Sequence, residues 1–248
     1  MSARVGGLPD VPPPMPELVL AFAEGPAHDL ELMWVSRTGG ITYRDGLRYL
    51  KFQPAGSRAD LDDERARMAW ARRWHPVPEV LDLGRDDTGR ISVTRALPGW
   101  GAATPYWRER PRDAVRAVGE GLRALHENLP VSQCPFDWSA ESRGGVDAPP
   151  VDRLVVCHGD ASAPNTVVGA DGTWSGHLDL ENLGVADRWA DLAVGALSLD
   201  RYYGPGWEGE FFAAYGVTPD ADRMRYYREL WDSEADEPPA PRARKLGA

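Results

Sequence analysis

The chain has 248 residues, of which 42% are hydrophobic and 27% are charged, so it has enough apolar material for a packed core and too much for a disordered chain. Acidic residues outnumber basic ones by 38 to 28, and the net charge of −10 argues against a nucleic acid partner, because binding to a phosphate backbone needs a basic surface. Two cysteines, no apolar run long enough to span a bilayer and a proline-rich N-terminus together predict a cytoplasmic protein with no membrane partner.

Strand patterns dominate the first half of the chain. Residues 1–16, rich in proline and glycine, are predicted to be a flexible arm. The predicted strands are 30–35, 41–43, 47–52, 80–83 and 91–94. A helix is predicted from Leu61 to Trp74, because acidic residues open it and His75-Pro76 ends it. Leu97-Pro98-Gly99 breaks the pattern and is predicted to be a hinge.

Helical patterns dominate the second half, apart from an irregular segment over 134–150. The predicted strands are 154–157, 166–168 and 174–178, and the predicted helices are 111–126, 188–199, 207–215 and 219–231. Strands first and helices later predict an α+β fold in two lobes. The lobes are predicted to cover 17–97 and 98–232, and residues 233–248 are predicted to be a disordered tail.

Lysine is almost absent from this chain, since all but two of the 28 basic residues are arginine. Lys245 lies close to the C-terminus, which leaves Lys51 as the one lysine in the body of the sequence. A compact ammonium group on a strand cannot be replaced by the forked guanidinium of arginine, so this choice indicates a functional requirement. Chance can also leave one lysine at any position, and that alternative stays open.

The most informative segment follows the strand that ends at Cys157 and reads His158-Gly159-Asp160. Asn165 stands five residues after Asp160, and Asp179 ends a later strand. Phosphoryl transfer needs a carboxylate that accepts the proton of an attacking hydroxyl, and hard oxygen ligands for Mg²⁺. The offset from Asp160 to Asn165 is that of the kinase catalytic loop. The pattern predicts catalysis by Asp160 and Mg²⁺ binding by Asn165 and Asp179, whereas His-Gly-Asp alone also fits a turn capped by aspartate.

Several longer blocks resemble the aminoglycoside phosphotransferases, small-molecule kinases that share the protein-kinase fold. The resemblance covers residues 34–231, and its strongest blocks are 123–126, 154–160, 164–165, 178–180 and 183–193. The run Asp-Arg-Trp-Ala-Asp-Leu-Ala over 187–193 is similar to the 3′-type branch of that family. The resemblance implies a protein-kinase-like α+β fold, with a small β-rich N-terminal lobe that binds the nucleotide and a larger helical C-terminal lobe for catalysis and acceptor binding.

A nucleotide site is also implied by the resemblance. Lys51 is similar to the strand lysine that holds the α- and β-phosphates of ATP, with GTP as an alternative, and Glu64 is similar to its partner on the following helix. Without the resemblance, Glu64 reads as a solvated acid at a helix start. Residues Arg95 to Leu97 are similar to the hinge strand whose backbone faces adenine. The loop over 36–41 departs from the family's glycine-rich nucleotide loop.

Other polar residues in these blocks are predicted to be structural. His158 is expected to form hydrogen bonds rather than catalyse, because a carboxylate already does the proton work. His126 and His177 are expected to be packing residues rather than metal ligands. Asp187 reads as a helix cap, and Asp191 as an acid that braces the catalytic loop.

The acceptor side departs from the family pattern. After the second predicted metal ligand, where the family usually carries glycine, this chain has Glu181-Asn182, so Glu181 is a candidate to meet a cationic substrate or else faces solvent. Near the C-terminus, where the family places an acidic pair, Asp232 is the best match, with Glu229 and Glu234 as further candidates. Segment 135–153 is short, whereas members that modify aminoglycosides usually carry extra helices there.

These features predict an ATP-dependent phosphotransferase that needs Mg²⁺ and acts on a hydroxyl of a small cationic molecule, with the 3′-hydroxyl of an aminoglycoside as the leading acceptor. One alternative is a kinase of another small metabolite, such as an amino alcohol or a sugar, which the short acceptor segment favours. The other is a nucleotide-binding module without catalytic activity, which the presence of all the predicted site residues disfavours. The chain is expected to be a monomer or a weak dimer.

Overall fold

The computed structural model describes residues 8–36, 39–57 and 60–236, with side chains up to Ser233. Residues 1–7 of the predicted arm, residues 37 and 38 of the loop over 36–41, and the predicted tail after residue 236 lie outside the described residues. The described chain forms two compact units. The first comprises the residues up to Trp70 together with Pro78–Ala96, and the second comprises Ala71–Val77 together with the residues from Leu97 onward.

The first unit is built on an antiparallel sheet of five strands. In chain order these are β1 (Glu31–Val35), β2 (Ile41–Asp45), β3 (Arg48–Pro54), β4 (Val80–Arg85) and β5 (Gly89–Arg95). In the sheet they lie in the order β1-β2-β3-β5-β4, which makes β3 the central strand. Helix α1 (Glu17–Phe22) packs on this sheet, where its buried side chains join Leu50 and Ile91 in an apolar core. Helix α2 (Leu61–Ala71) opens with three acidic residues, as the helix dipole favours.

The second unit is mostly helical. Its helices are α3 (Pro105–Arg108), α4 (Pro111–Asn128), α5 (Trp189–Tyr203), α6 (Glu208–Tyr215) and α7 (Ala221–Asp236). Its strands are β6 (Trp100–Gly101), β7 (Leu154–Cys157), β8 (Thr166–Val168), β9 (Trp174–His177) and β10 (Gly184–Asp187). Strands β6, β8 and β9 form one small sheet, and β7 pairs with β10 in another. A core that includes the buried rings of Trp107, Trp189 and Phe211 holds these elements together.

The segment Ala71–Val77 belongs to the second unit, although two strands of the first unit follow it in sequence. His75 stacks on Trp174, with ring centroids 5.4 Å apart, and the carbonyl oxygen of Pro76 accepts the N–H of His177 at 3.1 Å. Buried rings and one backbone hydrogen bond therefore fix this segment next to β9.

The predicted strands and helices are present, with ends that shift by a few residues. Asp187 accepts the N–H of Trp189 at 3.2 Å at the start of α5, as predicted for a helix cap. The prediction of disorder from Ser233 was wrong for residues 233–236, because α7 continues to Asp236 and the Ser233 hydroxyl donates to the Leu230 carbonyl oxygen at 2.8 Å. No helix in the described part of the chain is long and apolar enough to cross a membrane.

Candidate active site

The chain leaves β7 through a turn that requires glycine. Gly159 has a φ of 83°, in the left-handed region, and a Cβ at this position would come within 2.4 Å of the backbone oxygen of Asn182. No other residue fits there unless one of the two loops moves. The glycine of the His-Gly-Asp motif therefore sets how closely the loop that carries Asp160 packs on the segment that follows Asp179.

Asp160 is half-buried at the end of this turn. Burial raises the pKa of the Asp160 carboxyl, and the electrostatic effect of the neighbouring His158 ring acts in the opposite direction. The negative charge on Asp179 raises the pKa further, whereas hydrogen bonds from Ser162 and Asn165 lower it. The net effect is a pKa above the ordinary value of aspartate. A raised pKa makes a carboxylate a better proton acceptor, which suits a general base.

Asn165 and Asp179 are held close to Asp160 by backbone geometry. A single 3₁₀ turn, Ala163–Asn165, returns Asn165 toward Asp160, and its Nδ2 donates to the Asp160 carbonyl oxygen at 3.0 Å. The carbonyl oxygen of Asn165 accepts the N–H of Leu178 at 2.8 Å, which ties the loop to the residue before Asp179. Asp179 has a φ of 58°, a left-handed conformation that aspartate tolerates better than most residues.

The side-chain oxygens of this group fit a divalent cation. Because Nδ2 of Asn165 donates to a carbonyl oxygen, the Oδ1 atom is the one suited to a cation, and Asp179 adds a carboxylate. Mg²⁺ prefers such oxygen ligands and completes its shell with phosphate oxygens and water.

Asp191, in the first turn of α5, is fully buried against the loop over 158–165, the candidate catalytic loop. Its Oδ2 accepts the N–H of His158 at 2.6 Å, and its Oδ1 accepts the N–H of Gly159 at 2.9 Å. Burial alone would raise the pKa of Asp191, but the hydrogen bond and charge of His126 outweigh it, together with further partners, and the pKa lies below its ordinary value. The prediction that Asp191 braces the catalytic loop is confirmed.

His126 completes this buried network. Its Nε2 lies 2.9 Å from Oδ2 of Asp191, and its Nδ1 lies 2.8 Å from the hydroxyl of Tyr215. Because a carboxylate can only accept, Nε2 carries the proton and donates it. His126 therefore contributes two hydrogen bonds as well as packing. Tyr215 was missed in the sequence, because 89 residues separate it from its partner and no local pattern marks the pair.

Three histidines lie together next to the catalytic loop. Nδ1 of His158 accepts the N–H of Asp160 at 3.2 Å, and its Nε2 donates to the Leu178 carbonyl oxygen at 2.8 Å, so the predicted structural role of His158 is confirmed. Nε2 of His75 and Nδ1 of His177 are 2.8 Å apart, and both residues are buried. His177 therefore contributes a hydrogen bond as well as packing.

The buried His75 predicts a loss of stability in acid. Burial, with smaller contributions from the charges of His158 and His126, lowers the pKa of His75 to about 4. In the unfolded chain this side chain binds a proton near pH ~6.5, so the unfolded state gains protons first as the pH falls. We expect the free energy of unfolding to decrease between pH ~6.5 and pH ~4, by about 3 kcal/mol from this residue.

Urea denaturation of wild type and His75→Gln across this pH range measures the effect. The variant should show a shallower decrease, and the exposed His28→Gln serves as a matched control that keeps the wild-type pH dependence. An equal pH dependence in wild type and His75→Gln would contradict the prediction.

In the first unit, Lys51 and Glu64 form an ion pair. Nζ of Lys51 lies 3.1 and 3.0 Å from the two carboxylate oxygens of Glu64. The Glu64 side chain is 7% exposed and the Lys51 side chain 23%, so the pair is largely shielded. Lys51 lies on β3, paired with Thr42 on one side and Ser92 on the other. The structure therefore brings these two predicted site residues together, and the alternative of a solvated Glu64 was wrong.

Arg95 and Leu97 are not brought into one unit. Arg95 ends β5, and its side chain pairs with Glu79 at 3.1 Å. The N–H of Arg95 donates to the Glu79 carbonyl oxygen and the N–H of Ala96 to the Leu47 carbonyl oxygen, both at 2.8 Å. These two backbone donors are therefore already used in hydrogen bonds within the first unit. Leu97 resumes the second unit. Their assignment to adenine binding stays a prediction.

The two predicted substrate-binding acids lie in different surroundings. Asp232 is exposed on α7 and lines a pocket of about 370 Å³ together with Glu229, Arg225 and Arg228. The two arginines offset the acidic residues there. Glu181 lies half-buried in the turn after Asp179 and is not among the residues that line this pocket. This pocket therefore contains only one of the two predicted acids.

The two units carry the residue set of a kinase-type phosphotransferase. The first has a lysine on a central strand paired with a helix glutamate, and the second has an aspartate, an asparagine and a second aspartate joined by backbone hydrogen bonds. This set is the one that protein kinases use to hold phosphates, accept a hydroxyl proton and bind Mg²⁺.

Comparison with known proteins identifies the family to which the chain belongs. The model of the phosphotransferase enzyme family matches residues 41–151 and 146–227, and the chain belongs to this family. It is 37% identical to an aminoglycoside 3′-phosphotransferase of Streptomyces fradiae over 71% of this chain and 81% of that protein. It is 33% identical to a streptomycin 3″-kinase of Streptomyces griseus over 88% of this chain and 96% of that protein.

A solved structure agrees with the sequence comparison. It is that of aminoglycoside phosphotransferase APH(3″)-Id from Streptomyces rimosus in complex with ADP and streptomycin, with a TM-score of 0.68 and 28% identity over 86% of this chain and 96% of that one. The predicted membership of the aminoglycoside phosphotransferases, the protein-kinase-like α+β fold and the class of enzyme are thereby confirmed.

Proposed function

We propose that the protein transfers the γ-phosphoryl group of ATP to a hydroxyl of an aminoglycoside, with the 3′-hydroxyl as the first candidate. The observation that carries the proposal is the placement of Asp160, whose backbone is tied to Asn165 at 3.0 Å, while the Asn165 backbone is tied in turn to the residue before Asp179 at 2.8 Å. The relative from Streptomyces fradiae, named as an aminoglycoside 3′-phosphotransferase, supports the choice of acceptor.

In this proposal Asp160 orients the acceptor hydroxyl and accepts its proton. The acceptor oxygen then bonds to the γ-phosphorus as the bond to the β-phosphate oxygen breaks, and ADP leaves. Asn165 and Asp179 would hold Mg²⁺, which neutralises phosphate charge when bound. Lys51, oriented by Glu64, would hold the α- and β-phosphates. The raised pKa of Asp160 suits its role as the proton acceptor.

A second acceptor is supported by a specific observation. The streptomycin 3″-kinase of Streptomyces griseus aligns with 88% of this chain, a larger share than the 71% that aligns with the 3′-enzyme of Streptomyces fradiae. Its name states that it phosphorylates a different ring position on a different drug. The 3″-hydroxyl of streptomycin is therefore the second candidate.

The test is an assay of ADP release from ATP, or of GDP release from GTP, with Mg²⁺ and with kanamycin, neomycin, streptomycin, choline or a simple sugar as the acceptor. Turnover with kanamycin and neomycin alone supports the 3′-hydroxyl, and turnover with streptomycin alone supports the second candidate. The position of the phosphate in the product, read by phosphorus NMR, checks either result. Turnover with choline or a sugar alone would overturn the aminoglycoside proposal and keep the phosphotransferase reaction.

Exchange of Lys51 for arginine should weaken nucleotide use. Arginine keeps the positive charge but replaces a compact ammonium with a wide fork, in a site shielded by Glu64. We expect kcat/KM for ATP to fall by about tenfold or more in Lys51→Arg, with KM for the acceptor unchanged. Steady-state kinetics with each substrate varied in turn measures the split.

The matched control is Arg48→Lys, the reverse exchange on the same strand in an ion pair with Glu24. It should leave KM for ATP at the wild-type value. A Lys51→Arg variant with wild-type kinetics for ATP would remove Lys51 from the nucleotide site.

A further inference from the structure

Helix α5 presents one face to the catalytic loop. The Oγ of Ser198 accepts the N–H of Ala163 at 2.8 Å, in the turn that carries Asn165. One turn earlier, a Cβ on Gly195 would lie 3.5 Å from the carbonyl oxygen of Ala161. Tyr202 follows Ser198 by four residues, so it lies on the same face of the helix, one turn further on.

The segment before α4 reaches the same region from the other side. The N–H of Ala102 donates to the carbonyl oxygen of Thr166 at 2.8 Å, directly after Asn165. Nε of the exposed Arg108 donates to the carbonyl oxygen of Ala103 at 2.8 Å, and its guanidinium carbon lies 5.3 Å from the centroid of the Tyr202 ring. This distance is within the range of a cation–π contact. Two elements that each hold the catalytic loop by a hydrogen bond therefore meet at Tyr202.

The charge of the candidate base also acts on this phenol. Burial raises the pKa of Tyr202, the guanidinium groups of Arg201 and Arg108 lower it, and the carboxylate of Asp160 raises it. Tyr202 is half-buried, so part of it stays accessible to a bound molecule.

We propose that Tyr202 positions the acceptor, through a hydrogen bond from its hydroxyl to the acceptor next to the reacting hydroxyl, while Arg108 fixes the orientation of its ring. This proposal rests on the proposed function and adds a residue that none of the sequence motifs marks. A tyrosine suits the role because its ring packs against the apolar face of a sugar while its hydroxyl stays polar. An acceptor held in this way presents its hydroxyl to the base in a productive orientation.

The experiment measures the kinetics of Tyr202→Phe and Tyr202→Ala with ATP and with whichever acceptor wild type uses. Loss of one hydrogen bond should raise KM for the acceptor about fivefold in Tyr202→Phe, with more in Tyr202→Ala, while KM for ATP stays within about twofold of wild type. Hydrolysis of ATP without an acceptor should be unchanged in Tyr202→Phe. The matched control is Tyr106→Phe, a half-exposed tyrosine with Arg110 4.1 Å from its ring centroid, and it should behave as wild type.

Each outcome bears on the proposal. A wild-type KM for the acceptor in both Tyr202 variants overturns it and leaves the proposed function in place. A rise of both KM values together also overturns it, because general damage to the fold would act on both substrates. If wild type uses no acceptor at all, the proposed function fails along with this inference, and that result is visible before any variant is made. Should Tyr202→Ala not fold, Tyr202→Phe decides alone, since it keeps the ring.

Discussion

Replacement of Asp160 by asparagine should reduce phosphoryl transfer by about 10²–10⁴-fold, the range that a general base contributes. Asparagine keeps the size of the side chain and its oxygen can still accept the hydrogen bonds of Ser162 and Asn165, so the loop should keep its shape. What is lost is the carboxylate that takes the proton. KM for ATP should change little, because the phosphates are assigned to Lys51 in the first unit.

The measurement is kcat from ADP release with a saturating acceptor, with nucleotide affinity measured separately by calorimetry. Asp171→Asn is the matched control, because Asp171 lies in an exposed turn of the same unit and accepts hydrogen bonds from Thr173. The control should retain wild-type kcat. Turnover in Asp160→Asn within about tenfold of wild type would show that this carboxylate is not the base.

Replacement of Asp191 by alanine should destabilise the fold and slow the reaction. The change leaves the N–H groups of His158 and Gly159 buried without an acceptor, and it leaves His126 without its carboxylate. Each buried donor left without its acceptor costs about 1–3 kcal/mol, so the loss of these three hydrogen bonds should cost about 3 kcal/mol or more. We expect the free energy of unfolding to fall by that amount, and kcat per folded molecule to fall as well, because the backbone on either side of Asp160 loses its anchor.

Urea denaturation gives the first quantity, and kcat corrected for the fraction of molecules that bind nucleotide gives the second. Asp200→Ala, an exposed aspartate on the same helix, is the control and should change the free energy of unfolding by less than about 0.5 kcal/mol. An Asp191→Ala protein as stable as the control would mean that the three hydrogen bonds do not support the loop.

The part of the site that the sequence predicts is the part whose residues are close together in the chain. Asp160 and Asn165 lie in one loop, five residues apart, so a local pattern is enough to mark them. Lys51 stands out for a different reason, since a chain that otherwise uses arginine keeps a lysine on its central strand. The pairing with Glu64 needed the family resemblance, because an acid at a helix start has an ordinary explanation in the helix dipole.

The rest depends on contacts between distant residues. His126 and Asp191 are 65 residues apart, and no local sequence pattern around either residue predicts the hydrogen bond between them. Strand β10 was missed because its four residues are held by distant segments of the chain. It pairs with β7, which begins 30 residues earlier, and Val185 forms backbone hydrogen bonds with Phe136 and Trp138. Tyr202 was missed for the same reason, because the contact that marks it is with Arg108, which is distant in sequence. Propensity and periodicity describe neighbours in sequence, and these features are neighbours only in space.

The close packing of Gly159 against Asn182 couples the loop that carries Asp160, the candidate base, to the loop that carries Asp179, the second candidate metal ligand. The ring of His158 and the carbonyl of Asn165 add two more links between the same loops, so neither loop shifts without the other. The surface around Tyr202, in contrast, touches these loops through two single hydrogen bonds, one that Ser198 accepts from the N–H of Ala163 and one that the N–H of Ala102 donates to Thr166. Mutation can therefore reshape the acceptor side in small steps while the reacting atoms keep their geometry. An enzyme built this way can change the acceptor that it binds and still catalyse phosphoryl transfer.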